Sequence, residues 1–359
     1  MAGLSQVTAV TASAFRQLME SIPKTHRSGR VAIALSGGAD STALLMLLRE
    51  YVVHPNQVLA VTVDHGLRPE SADEARHVAS FATKYNIPHQ IHRLRWDDIP
   101  GKLPRSQLQI QARLRRYSIL GDVCTREGIH GLYVGHHLGD QLETLLFRLG
   151  RGSGWSGLAG MPAWSLFPVP HPTFSRDLHV VRPLLAVNKA QLKATCNRFG
   201  QEWVEDPSND SEDFDRIRIR KQVRALGALP GSDALEHGLA LLQQHAREAH
   251  DDLQLAEQFL REKYVIVKSP VAVELLDSFL DDPLMFDELA IRVLTGIVRD
   301  VGGKAYPPRV SSVALLLASL QHKTLKRSTT LGGCLVRKKR GCVAFEPEVP
   351  QHTLHTTLP

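Results

Sequence analysis

The sequence predicts an α/β protein: a parallel sheet covered by helices, then a mainly helical domain, then a short C-terminal β-hairpin. Three observations carry that prediction. From Arg30 to about Val204, short β-branched apolar runs alternate with amphipathic stretches of helical period, the pattern of successive βαβ units. Beyond Asp215 the strand-like runs give way to helical periodicity, from DALEHGLALL to LLLASLQ, with breaks at SPV, DDP and GGKAYPP. Finally TLGGCLVRKKRGCVAFEPE sets two apolar runs around a basic turn with Gly341, which is a hairpin signal.

The elements follow in order. VAIAL (31–35) is the first strand and TALLMLLREY its helix; VLAVTVDHG (58–66) and ESADEARHVASFATKY form the next pair. HQIHRLRW is a third strand, followed by the long helix SQLQIQARLRRYSILGDVCTREG; GLYVGHH is a fourth, followed by DQLETLLFRLG. The Pro-rich AWSLFPVPHPTF (163–174) reads as a loop, VVRPLLAVNKAQLKATCNRFG as a short strand and helix, and EWVEDPSNDSEDF as an acidic, turn-rich segment. The implied division is an N-terminal extension with a helix (1–29), the α/β domain (30–215), a helical region (216–328), and a hairpin with a frayed tail (329–359).

In open parallel sheets, ligands sit beyond the carboxyl ends of the strands. Three polar clusters, SGGADS, VDHGLR and GHHLGDQ, fall at such ends and so can share one site. SGGADS is the most specific. Two successive glycines let a backbone approach a ligand closely and leave N–H groups free to point at it. Ser41 and Thr42 are expected to open a helix, whose N-terminus favours an anion. The stretch Ser36, Gly37, Gly38, Ala39, Asp40 and Ser41 therefore reads as a phosphate cradle, against the alternative of a plain strand-to-helix turn.

Composition narrows the classes. No apolar run approaches the length of a membrane span, so no membrane partner is expected. The formal net charge is +6, a balance that favours acidic partners, nucleic acid foremost. Four scattered cysteines without a C-x-x-C pair argue against a disulfide framework and a common zinc site, and suit a reducing compartment. The first 19 residues hold no acidic residue and only Arg16 as a base; a mitochondrial presequence would be richer in Arg and Ser. The cytoplasm is the expected compartment, with the mitochondrial matrix as the alternative.

The SGGADS loop resembles that of the N-type ATP pyrophosphatases, the PP-loop family; no G-x-x-x-x-G-K-[ST] is present. VDHGLRPES (63–71), QARLRRY (111–117), HHLGDQLET (136–144), RGSGWSGLAGM (151–161), RPLL (182–185) and WVEDPSN (203–209) resemble, in order, one branch of it, the tRNA(Ile)-lysidine synthetases. The resemblance implies a two-step ligation. The carbonyl oxygen of the wobble cytidine in the CAU anticodon of tRNA(Ile) attacks the α-phosphate of ATP and releases pyrophosphate; the amino group of free L-lysine then displaces AMP. It implies ATP as substrate, Mg²⁺ as the cation, and Asp40, Asp140, His137 and Arg113 as the catalytic set, with Asp40 and Asp140 as metal ligands. An oligomer is compatible with it.

Alternatives stand beside these roles. Asp40 can instead cap the following helix. Asp64-His65-Gly66 can bind nucleotide or metal, or start a turn. Arg113 and Arg116 share a helix face that can meet phosphate or solvent. EDPSN (205–209) can face the lysine ammonium or form an Asx-type turn. RGSG (151–154) can guide the anticodon loop or close over the nucleotide, and the RKKR turn (337–340) can contact RNA phosphates or stay solvated. One position departs from the family, which usually reads HHxDDQxET: here the first acid of the pair is Gly139. That departure keeps two other readings open, a different adenylating PP-loop enzyme and a tRNA-binding homologue without catalysis.

Overall fold

The computed structural model describes residues 7–66, 70–97, 104–151, 153–169, 177–204, 232–304, 308–325 and 328–348. Two compact units, Met1–Ala246 and Arg247–Pro359, divide the chain.

In the first unit β1 (Val31–Ala34), β2 (Val58–Asp64), β3 (His89–Arg93), β4 (Gly131–Tyr133), β5 (Trp164–Leu166) and β6 (His179–Val181) form one sheet in the order β3-β2-β1-β4-β6-β5. All neighbours are parallel except the edge strand β5, which runs against β6. Ala32 of β1 pairs with Leu59 on one side and Leu132 on the other. VAIA and VLAVTVD lack the in-out alternation of a half-exposed strand because helices cover both faces of a parallel sheet.

One face carries α1 (Ala12–Glu20), α3 (Ala39–Tyr51), α4 (Ser71–Lys84) and α8 (Lys189–Arg198). Phe15, Met19, Leu44, Leu47, Val78, Leu192 and Cys196 meet Ile33 and Val181 there. The short α2 (Lys24–Arg27) links α1 to the sheet. Thus the segment ahead of residue 30 supplies side chains to the core of the α/β unit. The opposite face packs Tyr117, Leu120 and Cys124 of α5 (Arg105–Arg126) on Leu59, Val61, Leu132 and Val180. Following β4 come α6 (Leu138–Leu149) and α7 (Trp155–Leu158).

The long α9 (Ser232–Tyr264) leads into the second unit. There β7 (Val265–Ser269), β8 (Ala272–Leu276), β9 (Ser328–Leu331), β10 (Cys334–Lys339) and β11 (Cys342–Pro347) form an antiparallel sheet ordered β7-β8-β11-β10-β9. The expected C-terminal hairpin is β10–β11. The sequence reading of residues 265–276 as helical is corrected: they form two strands around a turn at Ser269–Val271. VIV and AV are β-branched, and β11 offers them an edge, with Val343 opposite Leu275; pairing and packing decide the conformation of such short runs. The helices α10 (Asp287–Gly302) and α11 (Val310–Gln321) bury Val293, Leu294, Ile297 and Leu317 with Leu275 and Phe345.

Candidate active site

The end of β1 turns into α3 through Leu35–Gly38. Gly37 has φ +86, and a Cβ there would stand 2.3 Å from Val78 Cγ2, so both conformation and space demand glycine. Gly38 is the N-cap and the helix begins at Ala39, two residues before the hydroxyl pair expected to open it. Those hydroxyls brace the loop instead. Ser41 Oγ donates to Gly38 O at 3.1 Å, accepts the Ser36 N–H at 3.2 Å and lies 3.0 Å from Ser36 Oγ. Thr42 Oγ1 donates to Gly37 O at 3.2 Å. Val204 N–H, from the far side of the fold, donates to Gly37 O at 2.9 Å. The loop is therefore held by its own hydroxyls and carbonyls, while the first-turn N–H groups of α3 have no intrahelical acceptor.

From Ala39 to Leu48 every residue of α3 is buried except Asp40. Asp40 is not the cap of this helix. Its two carboxylate oxygens each accept a hydrogen bond from Lys189 Nζ at 2.7 Å. Lys189 is the first residue of α8, whose cap Asn188 accepts the Gln191 N–H. Helix α8 is hooked to α3 by Cys196, whose Sγ donates to Ala39 O at 3.4 Å; burial pushes that thiol up to about 11.

The end of β4 abuts the same turn. A Cβ on Gly135 would lie 2.9 Å from the carbonyl carbon of Asp40 and from Ser41 N. Beyond it His137 caps α6: its Nδ1 accepts the Gly139 N–H at 2.9 Å, and its own N–H donates to Asp140 Oδ2 at 2.9 Å. The same ring presents Nε2 at 3.8 Å from Asp40 Oδ2 and 3.8 Å from Asp140 Oδ2. Asp40, His137 and Asp140, singled out on separate segments, thus meet at adjoining strand ends.

Positive charge gathers next to them. On α5, Arg113 and Arg116 both stack on Tyr117, at 4.9 and 5.5 Å from the ring centre. Arg182 is buried and donates to Pro162 O and Ser165 Oγ. Burial pushes His136 down to about 4; the charge of Asp140 opposes this, and those of Arg182, Arg113 and Arg116 reinforce it. His136 is accordingly neutral at pH 7 in a positive field. Its Nδ1, and Arg182 Nε, are buried without a hydrogen-bond partner among the described residues. Arg113 is linked to the end of β4 by its charge on His136.

Other candidates fall elsewhere. Asp64 is buried and its Oδ1 accepts the Gly66 N–H at 2.8 Å, which is the turn-starting role. Arg337, Lys338 and Lys339 of the RKKR turn pair with Glu346, Asp277 and Glu274, so three of those four cations are neutralised within their own unit. EDPSN (205–209) and Gly152 of RGSG lie outside the described residues.

Two participants escaped the sequence reading. Lys189 is one; its signal is a cation in the first turn of a helix, where the dipole disfavours it unless an acid compensates. Gln141 is the other. It is buried, its Oε1 accepts the Met161 N–H at 2.8 Å and its Nε2 donates to Met161 O at 2.7 Å, which ties α6 to the chain after α7. A buried amide that exchanges two bonds with one distant backbone residue leaves no local trace.

Among the described residues no three His, Cys, Asp or Glu side chains are grouped to hold a metal. A pair of carboxylates beside a phosphate cradle instead suits Mg²⁺, which takes one or two carboxylates and completes its shell with water and substrate phosphate.

Residues 8–226 match the PP-loop domain family, and the geometry above is that of a PP-loop protein that uses ATP. Relatives specify it further. A tRNA(Ile)-lysidine synthase of Ruegeria pomeroyi is 38% identical over 314 residues, covering 86% of this chain and 68% of that protein. Those of Hyphomonas neptunium (33% over 340 residues, 94% and 86% covered) and Novosphingobium aromaticivorans (35% over 325 residues, 90% of each) align over still more of their own length. The chain belongs to the tRNA(Ile)-lysidine synthase family.

Proposed function

We propose that this chain ligates lysine to the wobble cytidine of CAU-anticodon tRNA(Ile), with Asp40, Asp140, His137 and Arg113 as its working residues. The observation that carries this reading is the meeting of the Ser36–Ser41 cradle with Asp40, His137 and Asp140 at two adjoining strand ends, in a chain of this family.

In the first step the cytidine carbonyl oxygen bonds to the α-phosphorus of ATP, and the bond to the β-phosphate bridge breaks with loss of pyrophosphate. The leaving group is polyanionic. It is received by the first-turn N–H groups and positive end of α3. Mg²⁺ held by Asp40 and Asp140 would add charge neutralisation there. Asp40 now carries Lys189, so the ammonium occupies the carboxylate until another cation takes it. In the second step lysine's amino nitrogen bonds to the activated ring carbon and AMP departs with the oxygen. Arg113, Arg116 and Arg182, whose charges act together on His136, are the cations available to the charge on the α-phosphate.

No helix among the described residues is long and apolar enough to cross a membrane; the reading places the reaction in the cytoplasm, where tRNA, ATP and lysine meet. The test is incorporation of radiolabelled lysine into a CAU tRNA(Ile) transcript with ATP and Mg²⁺, with Asp40→Asn and a methionine tRNA run alongside. Incorporation into the isoleucine transcript alone, lost in the variant, is the expected result. ATP–pyrophosphate exchange without lysine incorporation points to another acceptor. Binding of tRNA with neither activity points to a homologue that kept the fold without the chemistry, the reading that Gly139 invites.

A further inference from the structure

Gly139 stands where the resembling family has the first of two adjacent acids, and the structure gives that absence a consequence. A Cβ on Gly139 would lie 2.6 Å from His137 Cε1 and 3.1 Å from its Nδ1. The imidazole therefore lies over the first turn of α6 in the space that a side chain at 139 would enter. It is fixed there by the bond from the Gly139 N–H to Nδ1, 2.9 Å long. An imidazole nitrogen that accepts a hydrogen bond carries no proton, so in the neutral ring the proton is on Nε2. That N–H is the atom 3.8 Å from both Asp40 Oδ2 and Asp140 Oδ2, and the side chain is only 14% exposed.

We propose that His137 is a positioning residue: its ring sets an N–H between the two carboxylates and occupies the space that a side chain at 139 would enter. The proposal rests on the ligation reading above. Asp40 already holds the Lys189 ammonium, and the shared N–H adds a contact to both carboxylates without adding a charge. An acid at 139 would add a third negative group and displace the ring. At 3.8 Å the contacts are longer than direct hydrogen bonds; contacts of this length in a substrate-free site tighten when the reactants bind. Because Nδ1 is held by the helix, Nε2 is a donor here and not a metal ligand. The role is thus distinct from that of Asp40 and Asp140.

Two substitutions separate the reach of the ring from its capping. His137→Asn keeps an acceptor in the place of Nδ1 and a good cap, but nothing in the place of Nε2. His137→Gln puts an amide N–H in the place of Nε2 and gives up the cap. Tm and the kcat for pyrophosphate release are read with ATP, Mg²⁺, lysine and the CAU tRNA(Ile) transcript. His137→Asn is expected to lose about tenfold or more in kcat, roughly 1.4 kcal/mol, at near-native Tm, whereas His137→Gln recovers part of that loss in kcat at a lower Tm. Gly139→Ala is expected to match His137→Asn, and the double variant to be no worse than either single one, since both remove the same contact. A native kcat for His137→Asn, a harmless Gly139→Ala, or losses that multiply would overturn the proposal.

A second measurement needs no turnover. In full-length protein with isotope-labelled histidine, the resonance lost in His137→Asn should report a bare Nδ1 and a protonated Nε2, and should move in Gly139→Ala. A protonated Nδ1 overturns the placement. Should the native protein release no pyrophosphate, it is the ligation reading that fails, and this measurement still decides where the ring sits.

Discussion

At the end of β1 the chain enters its helix through glycine, hydroxyls and bare N–H groups; at the end of β4 it enters through an imidazole and a carboxylate. The two turns occupy equivalent places in neighbouring strands and touch at Gly135, yet they work differently. The first is a backbone device: its polar atoms are fixed by Ser41, Thr42 and Val204, and it demands small size at Gly37. The second depends on charge and on the ring of His137. Anions are therefore received by geometry at one end and balanced by ionisable groups at the other. An adenylyl transfer that must bind the polyanionic triphosphate and then release pyrophosphate draws on both.

The strongest way to break this comparison is to remove charge while leaving shape. Asp40→Asn should lower lysine incorporation by roughly 10²–10³-fold, as expected where a cation's stabilisation of several kcal/mol is lost, with the α3 turn intact by circular dichroism. Retained activity would transfer the charge role from β1's helix to Asp140 alone. The next effect comes from separating the two ends. Gly135→Ala forces its methyl to within 2.9 Å of the Asp40 and Ser41 backbone; about 10²-fold loss of pyrophosphate release is expected from the misplacement, with about 1–3 kcal/mol lost in urea unfolding. Unchanged activity would show that the contact between the turns is incidental.

Gln141→Leu tests the support beneath α6. It removes the bonds that Gln141 makes to the N–H and carbonyl of Met161 and to the amide of Gln243, so about 1–3 kcal/mol of stability should be lost, with lysine incorporation falling less than by Asp40→Asn. A stable variant with dead chemistry would move Gln141 into the site itself. The smallest effect sharpens the contrast with a histidine outside the site. Burial pushes His89 down to about 4 from 6.5, with Nε2 against Thr62 Oγ1 at 2.8 Å. The unfolded chain then binds the proton first, so this contribution is whole above pH 6.5 and is lost as the pH falls toward 4. His89→Gln should flatten the fall in Tm across that window; an unchanged slope would assign it to other groups.

How much of this could be read from the chain depended on whether the information was local. The turn at SGGADS was legible because its glycines, hydroxyls and acid lie within six residues and follow a β-branched run. The Asp64 turn was legible only as one of two readings. Lys189 was not legible as the partner of Asp40, because the two are brought together by the packing of α8 along α3 and no sequence neighbour signals it. The strands β7 and β8 were missed because short apolar runs on either side of a proline fit helix and strand alike, and the partner that decides, β11, lies some seventy residues on. In HHLGD the departure from the family was plain, while its effect on the neighbouring ring depends on a Cβ that is absent.

The central place of β1, with β2 on one side and β4 on the other, also has a temporal meaning. A growing polypeptide carries the turn after β1 while the chain that will form β4, and the Val204 that braces that turn, are still unsynthesised. At ordinary translation speeds the interval between Asp40 and Asp140 is roughly 5–20 s, and Lys189 follows later still. During that time Asp40 has neither Lys189 nor His137 to meet. Whatever the order of strands in the sheet, the reaction centre is completed only by the segment that carries Lys189, Cys196 and Val204.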